Sequence, residues 1–167
     1  WSDALRNPDG SRPKLLRLTK GVHVVVPRER LPLRHAVVCA HPDDKRVLFA
    51  IPWGDRTYIG TTDTDYEGAP EDVACSAADA AYLLSCMARY FPGARLGPDD
   101  ILATWAGRRP LIAGEGSASS VSREHEILVD ADGLLTIAGG KLTTFRKMSA
   151  EVVDRACDVF WALASAE

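Results

Sequence analysis

The chain has 167 residues, 46% of them hydrophobic and 26% charged, with a formal net charge of −3. That length suits one compact domain or a substantial part of one. The acidic balance excludes a nucleic-acid footprint, and no apolar run approaches the roughly 18 residues of a membrane span.

The opening, Asn7 to Pro13, reads as a turn-rich loop. Because the first residue is Trp1 rather than methionine, the chain is expected to be a segment of a longer protein. Lys14–Thr19 and Gly21–Val26 read as two short strands, the second β-branched and stopped by Pro27. Ala36–Ala40 and Val47–Pro52 are strand-length apolar runs separated by the turn His41-Pro42-Asp43-Asp44. Arg56–Gly60 is a further strand, joined to its predecessor by a hairpin at Gly54-Asp55. The spacing of apolar residues predicts a helix over Cys75–Tyr90, with Ser76 as N-cap, Asp79 completing a capping box, and Phe91-Pro92-Gly93 ending it.

Asp99–Ala106 reads as a strand leading into Gly107-Arg108-Arg109-Pro110, and Gly114–Ser120 as a Gly/Ser-rich loop. His125–Val129 and Leu134–Ala138 are strands joined by the tight turn Asp130–Gly133. A last helix is predicted from Thr144 to Leu163. About eight strands, mostly joined by short turns, and two helices make an α+β chain with a largely antiparallel sheet. The expected division is a sheet domain over 14–130 and a strand-turn-helix over 131–163. No Gly-x-Gly-x-x-Gly occurs, so a dinucleotide fingerprint is absent.

Four stretches bear on chemistry. Gly139-Gly140-Lys141-Leu142-Thr143-Thr144 lies between a strand and a helix, the layout of an anion- or cofactor-binding turn. It is equally the layout of an ordinary turn with a threonine cap. Arg109, between arginine and proline, offers a planar fork of donors suited to a phosphate or carboxylate. Arg109, Arg123 and Lys141 together would suit a small dianion, although each alone reads as a solvated surface cation. His23, in a strand, could serve as a general base near neutral pH or be a core histidine. Thr61-Thr62-Asp63-Thr64-Asp65 lacks a calcium-loop pattern and favours a turn. Cys39, Cys75, Cys86 and Cys157 form no Cys-x-x-Cys pair, so neither a metal site nor a disulfide framework is predicted.

Taken in order, Lys20-Gly21-Val22-His23, Gly60-Thr61-Thr62-Asp63, Gly107-Arg108-Arg109-Pro110, Ser122-Arg123-Glu124 and Gly139-Gly140-Lys141-Leu142-Thr143-Thr144 resemble the FAD-dependent glycerol-3-phosphate dehydrogenases. These are flavoproteins of the D-amino-acid-oxidase-like superfamily. The resemblance runs from about Leu18 to about Arg155. It departs from the family pattern at Arg108, where a small or apolar residue is usual, so the role falls on Arg109, the residue before the proline.

The resemblance implies a substrate-covering antiparallel domain plus a strand-turn-helix returning to the FAD domain. It implies glycerol 3-phosphate as substrate, FAD as cofactor, a quinone as electron acceptor, and a cytoplasmic location with peripheral membrane contact through parts outside this chain. By the same resemblance His23 is the catalytic base, and Arg109, Arg123 and Lys141 line the substrate. Gly139, Gly140, Leu142 and Thr143 contact the flavin, with Thr62 and Asp63 as secondary candidates. Without the N-terminal FAD fingerprint, the segment alone is expected to be apo and inactive. Two other readings stay open: a related oxidase of glycerol 3-phosphate or of an amino acid using oxygen, and a non-catalytic sheet domain.

Overall fold

The structure is a computed structural model that describes residues 2–113 and 124–164. Its elements are α1 (Ser2–Arg6), β1 (Leu16–Pro27), β2 (Val37–Ala40), β3 (Val47–Trp53), β4 (Arg56–Gly60), β5 (Thr64–Asp65), α2 (Ala77–Tyr90), β6 (Ala103–Ile112), β7 (His125–Val129), β8 (Leu135–Gly139) and α3 (Phe145–Ala164). The mixture of helices with antiparallel sheet is the fold class expected from the sequence.

Two compact units divide the chain. One comprises residues 19–109, the other the N-terminal residues to Leu18 together with those from Pro110 onward. A boundary at 130/131 would cut between β7 and β8, which are hydrogen-bonded partners from His125↔Gly139 to Val129↔Leu135. Cross-strand pairing therefore keeps the two in one unit.

In the first unit the strand order is β2-β3-β4-β1-β5, with β6 also pairing with β1. The strands expected at Lys14–Thr19 and Gly21–Val26 are one continuous strand, β1. Gly21 does not interrupt it, because strand geometry is open to glycine and the ladder to β4 and β5 continues on both sides. Along β1, Val22, Val24 and Val26 are fully buried while His23 and Val25 are half-buried, the period-2 alternation of a two-faced strand. The valines pack with Leu48, Ala50, Ile59 and Cys39 against Leu83, Cys86 and Met87 of α2. Each fully buried valine, leucine, isoleucine or methionine here contributes roughly 1.5–3 kcal/mol.

Helix α2 begins as the sequence predicts. The Asp79 N–H donates to Ser76 Oγ at 3.2 Å, and the Ser76 N–H donates to Asp79 Oδ2 at 2.9 Å. Asp79 has a second partner on the sheet: Lys20 Nζ of β1 donates to its Oδ2 at 2.5 Å. The lysine of Lys20-Gly21-Val22-His23 thus fastens the helix to the sheet.

Strand β6 starts four residues later than expected. Pro98–Asp100 form a 3-10 turn, and the strand runs through Gly107-Arg108-Arg109-Pro110 instead of ending before it. The Leu102 N–H donates to the Val25 carbonyl at 2.8 Å and sets β6 beside β1.

In the second unit α1, absent from the sequence reading, is held by its charges. Asp3 accepts hydrogen bonds from the Leu15 and Leu16 N–H groups at 2.7 and 3.1 Å. Arg6 makes a two-bond fork to Asp130, both contacts at 2.9 Å. Such pairing between residues far apart in sequence has no local signature. Hairpin β7–β8 turns through Gly133, whose φ of +82° favours glycine. The loop expected over Gly114–Ser120 lies outside the described residues.

Candidate functional site

On the face of the β1–β4 sheet opposite α2, two glycines leave space that two predicted site residues occupy. A Cβ at Gly21 would stand 2.5 Å from Arg109 Nη2, and one at Gly60 would stand 2.1 Å from His23 Cδ2. Gly21 and His23 are two residues apart on one strand and so share a face. Gly60 is the cross-strand partner of His23. Arg109 and His23 therefore lie side by side, each resting over a missing side chain.

Three neighbouring residues hold the Arg109 guanidinium. Its Nη1 donates to Asp63 Oδ1 at 2.9 Å and to the Thr62 carbonyl at 3.0 Å, and its Nη2 donates to Thr61 Oγ1 at 2.9 Å. Among the described residues three of the five N–H donors are thus engaged, and Nε and one Nη2 hydrogen are not. Asp63 is only 4% exposed and Arg109 about a quarter exposed, so the pair is partly desolvated and its geometry tightly set. Arg46 donates to the Asp63 carbonyl and ties down the same loop.

Thr62 and Asp63, the secondary candidates, act inward. Thr62 is 2% exposed. Its hydroxyl accepts from the Val22 N–H at 3.0 Å and donates to the Lys20 carbonyl at 3.4 Å. Asp63 meets Arg109. Both therefore shape the arginine rather than present a side chain outward.

His23 stacks on Trp105, with ring centroids 5.0 Å apart and planes 17° from parallel. Tyr58 approaches the same imidazole edge-on at 6.4 Å and lies 5.5 Å from Trp105. Burial lowers the His23 pKa below its ordinary value, and the Arg109 charge lowers it further. The neutral imidazole, able to accept a proton, is thereby favoured at neutral pH.

In the second unit Gly139 and Gly140 end β8 with φ of +74° and +77°. Their missing side chains face the protein's own atoms. A Cβ at Gly139 would be 2.6 Å from the Glu124 carbonyl oxygen, and one at Gly140 would be 2.6 Å from the end of Met148. Close packing and left-handed backbone each favour glycine at both positions.

The chain then makes a 3-10 turn, Leu142–Thr144, and enters α3. The Thr144 N–H bonds back to the Lys141 carbonyl at 3.0 Å. At the start of a helix the first N–H groups have no intrahelical partner. Here they carry the positive end of the dipole of a 20-residue helix, with Lys141, Arg146 and Lys147 all exposed beside them. Leu142 is 87% exposed. The charge of this turn suits an anionic group. His125 Nε2 and Glu151 Oε2 are 2.5 Å apart and fasten α3 to β7.

The first unit thus brings together His23, Arg109, Thr62 and Asp63. The second holds Gly139, Gly140, Lys141, Leu142 and Thr143 in one turn. Arg123 lies outside the described residues. The sequence reading missed Thr61, Tyr58 and Trp105. It quoted Gly21 and Gly60 without seeing that Arg109 and His23 fill their spaces, a juxtaposition no local pattern carries. Among the described residues no group of three or more His, Cys, Asp or Glu side chains could hold a metal ion, and no helix is long and apolar enough to cross a membrane.

Comparison with known proteins adds three findings. A family model described as FAD dependent oxidoreductase matches residues 1–146. Proteins named aerobic glycerol-3-phosphate dehydrogenase from Staphylococcus haemolyticus (strain JCSC1435) and Staphylococcus aureus (strain USA300) are 46% and 45% identical over 156 residues, which is 92% of this chain. The chain spans 28% of the length of each. The X-ray structure of glycerol-3-phosphate dehydrogenase from Bacillus halodurans, complexed with FAD, superposes with a TM-score of 0.81 at 42% identity, covering 95% of this chain and 30% of that one.

Proposed function

We propose, from the premise that this chain belongs to the FAD dependent oxidoreductase family, that it supplies part of the substrate site of an FAD-dependent sn-glycerol-3-phosphate dehydrogenase. The relatives of matching name support this reading. The single observation that carries it is the pairing on one sheet face of a braced, partly desolvated arginine with a histidine kept neutral.

In this reading the two open donors of Arg109 bind the substrate phosphate. Asp63, Thr61 and the Thr62 carbonyl keep the guanidinium from swinging, so the entropy of fixing it is lost on folding rather than on binding. His23 takes the proton of the C2 hydroxyl at a ring nitrogen as that carbon is oxidised to the ketone of dihydroxyacetone phosphate. When bound, the flavin supplies the two-electron acceptor for the hydrogen on C2. Leu142 and Thr143, through backbone N–H groups at the positive end of α3, would hold an anionic part of that cofactor. Lys141 and Arg123 are proposed as further phosphate ligands on the motif resemblance alone. A quinone as onward acceptor and a cytoplasmic, membrane-peripheral location belong to the same proposal.

The test is the visible flavin spectrum of the FAD-loaded full-length protein under anaerobic conditions. Adding sn-glycerol 3-phosphate should bleach the flavin band, and Arg109→Ala should abolish bleaching at the same substrate concentration. A flavin that stays oxidised, or an Arg109→Ala variant that bleaches like wild type, would overturn the assignment. Oxygen uptake equal to the rate with a soluble quinone would replace the quinone with oxygen.

A further inference from the structure

A histidine that acts as a base is ordinarily oriented by a hydrogen bond from its second nitrogen to a carboxylate or carbonyl. Among the described residues, neither a hydrogen bond nor an ion pair engages either ring nitrogen of His23. Among the described residues its orientation is set by packing. Two contacts supply it: the ring rests over Gly60, where even a methyl group would stand 2.1 Å from Cδ2, and it lies nearly parallel to the indole of Trp105. The indole of Trp105 is not part of the buried core and lies against His23. Strand β6 brings it there through the Leu102–Val25 hydrogen bond, and the Tyr58 ring closes on the tryptophan from β4.

We propose that Trp105 is a positioning residue for His23. Its indole face does what a hydrogen-bonded carboxylate does elsewhere, without engaging an imidazole nitrogen. The inference rests on the reading of His23 as the base. Among the described residues the groups that face the imidazole are Tyr58 of β4 and Arg109 and Trp105 of β6, and the formal charge beside it there is the guanidinium. Truncating Trp105 lets water in and removes part of the burial that keeps the ring neutral.

The experiment compares Trp105→Ala, Trp105→Leu and Trp105→Phe in the FAD-loaded full-length protein, with two readouts. The first is the rate at which diethylpyrocarbonate carbethoxylates His23, mapped by peptide mass spectrometry across pH. The alanine and leucine variants should react several-fold faster at the high-pH plateau, with a midpoint moved up toward the ordinary histidine value. Phenylalanine, which keeps a ring face, should stay near wild type. The second is anaerobic flavin reduction by sn-glycerol 3-phosphate. The alanine and leucine variants should lose about 10–100-fold in the limiting rate, the range for a displaced acid–base group, while the apparent Kd changes less than about threefold because Arg109 is untouched.

Unchanged modification kinetics in both the alanine and leucine variants would overturn the positioning role. If the alanine variant loses its flavin through misfolding, equal behaviour of the leucine and phenylalanine variants would do the same. Full flavin reduction in His23→Gln would defeat the base reading, yet the modification kinetics would still decide whether Trp105 holds the ring.

Discussion

Gly21→Ala adds one methyl group to the space where the Arg109 guanidinium lies. The new Cβ would stand 2.5 Å from Nη2 and 2.7 Å from Cζ. Carbon contacts become comfortable near 3.5 Å, so the head group must retreat by about 1 Å (3.5 minus 2.5). The φ of Gly21 lies outside the left-handed region, so the backbone itself tolerates alanine. What suffers is the set of hydrogen bonds to Thr61, Thr62 and Asp63. Hydrogen bonds of this charge-assisted kind contribute roughly 1.5–3 kcal/mol each, but a flexible side chain re-forms some of them. A net loss of about 1–2 kcal/mol is expected, a fall in Tm of roughly 2–8 °C for a unit of 150–250 residues.

The effect on the proposed site is larger than the effect on stability. A displacement of about 1 Å in a positioning group can cost on the order of 100-fold, so the apparent Kd for sn-glycerol 3-phosphate should rise about 10–100-fold. The assay is an anaerobic substrate titration of the flavin band, alongside a thermal melt. In an Arg109→Ala background the methyl group has room, and Gly21→Ala should then add less than about 0.5 kcal/mol to the loss of binding. Wild-type affinity in the single variant, or equal losses in both backgrounds, would refute the reasoning.

Gly139→Ala should destabilise more than Gly140→Ala in urea denaturation, although their φ values are nearly equal. Each pays about 1–2 kcal/mol for left-handed backbone, but at Gly139 the obstacle is the rigid Glu124 carbonyl and at Gly140 the movable end of Met148; equal losses would contradict this. Lys20→Met should cost about 1–3 kcal/mol, because it removes the cation beside the buried Asp79 carboxylate. Burial pushes the Asp79 pKa up, but hydrogen bonds from Lys20 and Ser76 and the Lys20 charge outweigh it and hold the value below the usual range. The wild type therefore keeps this stability above pH ~4 and loses it as pH falls through the lower folded value, so urea stability of the variant should depend less steeply on pH there. A parallel pH profile would count against the pair. For His23, whose folded pKa is depressed, the acid limb of kcat/KM should fall below pH ~6.5; an acid limb above that value would exclude the neutral-imidazole mechanism.

The elements the sequence made legible are those governed by near neighbours. The α2 capping box needs only Ser76 and Asp79 three residues apart, and hairpin β3–β4 only apolar runs flanking Gly54-Asp55. The break expected after Thr19 does not occur, because hydrogen bonds to β4 and β5, about 40 positions away, carry the strand through. β6 likewise extends past its predicted end because β1, not its own composition, stabilises it.

By itself the sequence determined the α+β class and, by motif resemblance, the family and the residue types of the site: a histidine, an arginine, and a glycine pair before a helix. Tertiary structure alone decided what each of them touches. It placed Arg109 and His23 over the empty positions of Gly21 and Gly60, turned Thr62 and Asp63 inward, joined Lys20 to Asp79, and laid Trp105 against the imidazole. Each of these contacts joins residues on different strands or helices, many positions apart in sequence. Their energies depend on packing distance and desolvation, and neither quantity exists until the sheet has formed.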